Sequence, residues 1–353
     1  MKVKITPYPF LLMGLVSLLL AIFAGLLRMG WNISFMNPAW ALYHGPFMVS
    51  AFLGILISVE RAAALQKEWM WAAPFLCGLG AICLVFNFNN HVAALLFSGG
   101  GIFMFLIFTW IYQKQKNLFH LLMLCGAACF GLANLFWFLG NPFSHIVFFW
   151  MAFLLLTICG ERLELTRFRN PSLSSQYLLV GFNFLFVLGS FFQYLQAPLF
   201  PFLIAVSLWG ISFWMLTQDM AMQSLKAQGL TRYIASSLVL GYLWLFITGV
   251  LICFFGKQES GWGYDAILHS FFLGFVFSMI FGHAPLILPA VLKIKMDYSK
   301  RFYFPLLFLH FSIILRIAGD LLHSFSLRKT GGLLNAIAIL FFFINMKISS
   351  HRD

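Results

Sequence analysis

FLLMGLVSLLLAIFAGLL, residues 10–27, holds no charged side chain and no Pro. A run of this kind approaches the roughly 20 apolar residues that one helical crossing of a bilayer needs. It stands close to the start of the chain, after Lys2-Val-Lys4, so two readings compete: a cleaved signal peptide or a retained first helix. No small-x-small cleavage site follows it, which favours the retained helix.

The same pattern recurs along the chain. Apolar runs of spanning length lie near 8–28, 41–62, 70–88, 92–112, 118–139, 142–160, 176–196, 199–218, 231–255, 263–287, 302–323 and 331–349, twelve in all. Backbone groups in lipid must bond within their own segment, so these are helices and not strands. Short Gly-, Pro- and Asn-marked gaps such as Asn87–Asn90 and Gly140–Pro142 separate them, and none is long enough for another domain. The expected fold is an all-α membrane protein of about twelve transmembrane helices, with residues 1–353 forming a single polytopic domain.

Composition agrees. Of 353 residues, 62% are hydrophobic and 9% charged, with 45 Phe and 11 Trp. Soluble domains carry about 25% charged residues. Lipid is the solvent that accommodates so many aromatic rings. The net charge of +12 does not point to nucleic acid, because the cations lie in the gaps between apolar runs. With the N-terminus inside and alternating spans, Lys2, Lys4, Arg61, Lys67, Lys114, Lys116, Arg162, Arg167, Arg169, Lys226, Arg232, Lys293, Lys295, Lys300, Arg301, Lys347 and Arg352 fall inside. Only Arg28, Lys257, Arg328 and Lys329 fall outside, and Arg316 alone is left within a span. That asymmetry is the positive-inside pattern and puts both termini in the cytoplasm. The six cysteines, all within apolar runs and without a CxxC, read as packed small hydrophobes.

A repeat underlies the helices. The second span contains His44-x-x-Phe47-x4-Phe52, the sixth His145-x-x-Phe148-x4-Phe153 and the tenth His269-x-x-Phe272-x4-Phe277. All three run in the same direction, four spans apart. Glu60-Arg61 and Glu161-Arg162 follow their histidines at the same spacing. This reads as a threefold repeat of four helices. It is also the plan of haem-copper oxidase main subunits, an analogy of fold alone.

Ionisable groups within spans are costly and mark function by default. His44, His145, His269 and His323 lie towards the outer face, and His120, His283 and His310 towards the inner. His91 falls in an outer turn and His351 in the tail, both expected to be solvated. On a regular α-helix His269 and His283 stand about 21 Å apart and within roughly 40° of one face. One helix would then offer a ligand to each of two sites, and imidazole is the commonest protein ligand for haem iron and copper. The plainer reading is that each histidine anchors at the interface or bonds a neighbouring helix. Arg316, Asp320 and His323 form one stripe, either a self-neutralised Arg–Asp pair or an arginine that pairs with an anion such as a haem propionate. His310 is set to face another direction, towards His283. Glu60-Arg61 and Glu161-Arg162, at helix ends, are expected to snorkel to the headgroups. Ser98-Gly-Gly-Gly101 permits close helix approach. No Walker sequence, GxSxG or HExxH occurs.

Ala266-x-x-His269-x4-Gly274-x4-Met279, then Gly282-His283-Ala284 and Leu315-Arg316-Ile-Ala318, resemble the NnrS family of bacterial membrane proteins. The stretch from His44 to Met48 is similar to that family's early histidine helix, although position 42 is Leu where the family has a second histidine. The resemblance covers about 80 residues. It implies a twelve-helix inner-membrane protein containing haem and copper and linked to the nitric oxide response. Carried over by position, His44, His269 and His283 are candidate metal ligands and Arg316 a helper. The repeat adds His145, and His310 completes the candidate cofactor set. A small diatomic ligand would suit such a site.

Two other classes remain open. A secondary transporter also has twelve helices and repeats, and Pro285 and Pro289 would break the tenth helix at its substrate site. A haem-copper oxidase subunit is disfavoured by the lack of an adjacent His-His pair.

Overall fold

Twelve apolar runs without water to bond their backbones have one solution, and the chain adopts it. The computed structural model describes residues 5–34 and 36–351. Lys2, Lys4 and Arg352, counted in the charge asymmetry, lie outside the described residues, as does the side chain of His351.

Twelve helices are long and apolar enough to cross a membrane: α1 (Tyr8–Arg28), α2 (Pro38–Leu65), α3 (Glu68–Val85), α4 (Asn90–Lys114), α5 (Leu118–Phe138), α6 (Phe143–Arg169), α7 (Leu173–Tyr194), α8 (Phe200–Gln218), α9 (Gly229–Phe255), α10 (Trp262–Leu292), α11 (Lys300–Leu321) and α12 (Phe325–Ser349). The protein is an all-α, multi-pass membrane protein. Every expected span is present; α6 runs farther, and α12 begins earlier, than the apolar runs alone indicated. Large apolar side chains such as Phe254, Phe213 and Phe184 point outward, 77%, 69% and 67% exposed, as lipid-facing residues do. Outside the spans, Lys295–Met296 forms a two-residue antiparallel ladder with Ser350–His351.

Two spans are not regular. In α2 the His44–Pro46 turn is followed by a π-helical stretch, Phe47–Leu53. In α10 the segment Trp262–His269 is followed by another, Ser270–Phe277. The regular-helix phase linking His269 to His283 therefore does not hold, because a wide turn lies between them. Pro285 and Pro289 do not break α10, which continues through both to Leu292.

The chain sorts into two compact units, Met1–Phe153 and Leu154–Asp353. In the first, glycines set the spacing. A Cβ on Gly100 would lie 2.6 Å from Cys77 Sγ, and one on Gly101 2.6 Å from Gly131 Cα. The Ser98–Gly101 run thus lets α3 and α5 meet the backbone of α4, as its composition indicated. Phe130 packs on Phe153 at 4.7 Å and Phe97 stacks on Trp137 at 6.0 Å. In the second unit hydroxyls join helices: Ser207 donates to Phe182 O and Ser212 to Tyr242 O, each at 2.7 Å. Gly319 and Gly331 bring α11 and α12 into backbone contact, a Cβ at Gly331 lying 2.5 Å from Arg316 N.

Gly101→Val is expected to destabilise the protein by about 1–3 kcal/mol, the usual cost of overpacking. Gly181→Ala, where an added Cβ meets nothing within 4 Å, should leave stability unchanged or slightly raised. Thermal unfolding followed by fluorescence-detected gel filtration checks the pair.

Candidate functional site

Two buried polar clusters lie in the second unit, at opposite ends of its helices. The first is built on α10. Gly261, at φ +90°, turns the chain into the helix, and Asp265 occupies its first turn, where the helix dipole favours a carboxylate. Arg316 grips that carboxylate with two bonds, Nε to Oδ2 at 2.8 Å and Nη2 to Oδ1 at 3.0 Å. Arg328 Nη2 reaches Oδ1 at 3.0 Å, and its Nε lies 3.2 Å from Asp320 Oδ1. The guanidinium of Arg328 also covers the Trp262 ring at 5.0 Å, whose edge meets His323. Two carboxylates and two guanidiniums cancel in formal charge. The close approach of α11 and α12 at Gly319 and Gly331 is what carries both arginines to one acid.

His269 belongs to this cluster. Its Nδ1 lies 2.9 Å from Asp265 O and 3.4 Å from Asp265 Oδ1. A carbonyl can only accept, so Nδ1 carries the proton and the lone pair is on Nε2. Of the expected residues, the structure brings His269 and Arg316 together, through Asp265. Arg316 is held by Asp265 rather than by its stripe neighbour Asp320, which goes to Arg328.

The second cluster centres on Asp219, just after α8. Arg162 of α6 donates from Nε to Oδ2 at 2.7 Å and from Nη2 to Oδ1 at 2.8 Å. Ala221 N donates to Oδ1 at 2.7 Å, and Thr166 Oγ1 lies 3.3 Å from Oδ2. Arg162 is 5% exposed and Asp219 fully buried. Arg162 therefore does not snorkel, because its counter-charge is inside the protein. Its remaining Nη1 approaches His283 Nε2 at 3.4 Å, while His283 Nδ1 donates to Met279 O at 2.7 Å. His310 is set apart from His283: its Nδ1 accepts from Trp244 Nε1 at 2.8 Å. Arg169 closes the end of α8 with bonds to the carbonyls of Thr217, Gln218 and Asp219.

In the first unit His44 Nδ1 donates to Ala21 O at 2.7 Å, which again puts the lone pair on Nε2. Gly25 makes room for the ring, since a Cβ there would stand 2.9 Å from His44 Cε1. His145 begins α6, its amide bonded to Pro142 O at 3.0 Å. His44, His145 and His269 share one setting: each is half-buried and each opens a stretch that is almost wholly buried over the next ten residues.

The clusters rest on residues that the hydropathy reading passed over. Asp265 stood one turn before His269, a visible spacing for a carboxylate that orients an imidazole. Asp219 and Arg328 carried no local signal, since each was an ordinary charge at a helix end. Among the described residues no three His, Cys, Asp or Glu side chains converge as a metal site.

Asp219→Asn is expected to cost about 3–5 kcal/mol, because it strands the Arg162 charge in a dry site. The double replacement Arg162→Met/Asp219→Leu should recover most of that loss. Unfolding of purified single and double variants, compared with wild type, measures both.

No curated protein matches the chain. Among solved structures, a heme-copper terminal oxidase dimer determined by cryo-EM superposes with a TM-score of 0.63, at 14% identity, over 96% of this chain and 82% of that one. At that identity the likeness is one of fold: this chain has a heme-copper-oxidase-like arrangement of membrane helices. By a match over residues 8–351, the chain belongs to the family described as a domain of unknown function (DUF8744).

Proposed function

We propose that this chain is a haem-binding protein of the bacterial inner membrane, acting in redox chemistry or the nitric oxide response as its resemblance to the NnrS family implies. The observation that carries the reading is the state of two histidines. His269 and His44 each spend the Nδ1 proton on a backbone carbonyl, which puts the ring lone pair on Nε2. Metal-bound histidines are oriented in this way. His269 has in addition the Asp265 carboxylate 3.4 Å from Nδ1, fixed by Arg316 and Arg328.

The donor set fits a haem better than a copper ion. Haem iron takes one or two axial histidines, whereas no three donors converge among the described residues. His269 would hold the iron within the second unit; His44 and His145, in the first, stand at the matching positions of the sequence repeat. His283 and His310, engaged by Arg162 and Trp244, would position neighbouring helices. Arg316 would act through Asp265. Haem iron supplies electron transfer when both axial positions are histidine, and binds a diatomic gas when one is open. The fold of the solved neighbour is one that hosts haem and copper in that protein, which makes the reading natural for a chain of the same architecture. Terminal-oxidase chemistry is disfavoured because the sequence has no adjacent His-His pair for a copper centre. The transporter reading loses one of its supports, since α10 runs unbroken through Pro285 and Pro289.

Detergent-purified protein, produced with ample haem, is expected to show a Soret band and bound iron. His269→Ala should lose most of that absorbance while its gel-filtration profile stays unchanged, and exposed His91→Gln should keep it. Folded wild-type protein with neither Soret band nor iron would overturn the proposal.

A further inference from the structure

A cavity of about 580 Å³ opens at one end of the first unit, lined by Arg28, Tyr43, Asn90, His91, Trp137 and Phe143 among others. It takes its walls from the ends of five spans. α1 and α5 finish there, and α2, α4 and α6 begin there. The depth is therefore that of lipid headgroups, not of the hydrocarbon core.

Its electrostatics favour an anion. Arg28 makes no ion pair with another described residue, and no acidic side chain lines the cavity. Two long helices, α4 and α6, point their N-terminal ends at it, through Asn90 and His91 and through Phe143. Asn89 caps α4, its Oδ1 accepting from His91 N at 2.9 Å, so what these two ends offer the cavity is the positive end of a helix dipole, about half a charge each. His91 donates from Nδ1 to Phe138 O at 3.1 Å, fixing its ring at the wall. Gly140, at φ +91°, makes the tight turn between α5 and α6 that brings Pro142 and Phe143 to the rim.

The remaining walls are apolar and aromatic. Tyr43, Trp137 and Phe143 face the cavity, with Ala41 and with Leu42, which is 65% exposed. A free inorganic anion has no use for such a lining, but a phosphate that carries a glycerol and acyl chains does. Arg28 also suits the C-terminal dipole of α1, which alone would account for its presence. It does not account for the two converging N-termini or for the aromatic rim. We propose that this cavity holds the phosphate of an anionic glycerophospholipid, with Arg28 and the start of α4 binding the headgroup and Tyr43, Trp137 and Phe143 flanking its glycerol end. The site is independent of any haem.

Native mass spectrometry of the full chain in detergent tests it, with phosphatidylglycerol, phosphatidylcholine and inorganic phosphate as probes. Wild type should retain phosphatidylglycerol in preference to the other two. Arg28→Gln should weaken that binding by about tenfold, the scale of one lost charge-assisted bond. Asn90→Asp supplies a second arm, because a carboxylate at a helix N-terminus favours the fold while repelling an anion in the cavity. It too should weaken binding by about tenfold. Wild-type affinity for phosphatidylglycerol in both folded variants would overturn the proposal. So would equal retention of phosphatidylcholine, or tighter binding of inorganic phosphate than of lipid.

Discussion

A charge taken into a bilayer has to bring its counter-charge with it, and much of the second unit is arranged around that requirement. Arg162 and Asp219 are both buried, 57 residues apart in sequence, and joined by two short bonds. Isolated, either would cost several kcal/mol even after relaxation. Paired, they bind the end of α6 to the turn after α8, and Ala221 N and Arg169 bond the same turn. Asp265 plays the matching part at the other end, collecting Arg316 and Arg328 from two further helices. A buried pair of this kind is weak evidence for net stability. Its geometric consequence is firmer: a bidentate guanidinium–carboxylate contact leaves little freedom in how two helices rotate or slide.

The histidines inherit that rigidity. His269 hangs on Asp265, and His283 meets the spare nitrogen of Arg162. Immediately after His269, and after His44, the helix widens into a π stretch. Such stretches are rare and frequently lie at functional sites, because they redirect side chains without leaving backbone groups unbonded. The cost is bearable where the surroundings hold the widened turn. Ser270 bonds Thr248 at 2.9 Å, and Ser50 donates to Asn134 at 2.7 Å, each from within its π stretch. The corresponding part of α6 is regular α-helix. Of the three matching histidines, His145 is thus set in a different backbone.

The spans were legible because hydropathy is a local property: a crossing announces itself in about 20 consecutive residues whatever the rest of the chain does. The same is true of Ser98–Gly101, where three successive glycines can serve little but close approach. The partners of the charges were not legible. Arg316 and Asp320 are four residues apart and share a face of α11, yet Arg316 bonds Asp265 and Asp320 is in ion-pair range of Arg328, each on another helix. Helix periodicity tells which residues share a face, and only packing tells what that face meets. The phase between His269 and His283 failed for a related reason, since eight of the residues between them are not α-helical.

The repeated Glu-Arg pairs show how one sequence signature comes to two uses. Glu60-Arg61 and Glu161-Arg162 follow their histidines at equal distance. Arg61 stays with its neighbour, 3.6 Å from Glu60 and over the Phe108 ring at 5.7 Å, with part of its side chain exposed. Arg162 is drawn wholly inside because Asp219 is there to receive it. The difference does not lie in the arginines but in what faces them, a single acid placed after α8. An arginine at a helix end in lipid can be held at the headgroups or by a buried carboxylate, and for Arg162 one aspartate decides. By the same logic the setting of a histidine ring is decided by the group that faces it. At His269 that group is Asp265, whose carboxylate and backbone carbonyl both stand at Nδ1, with two arginines behind the acid.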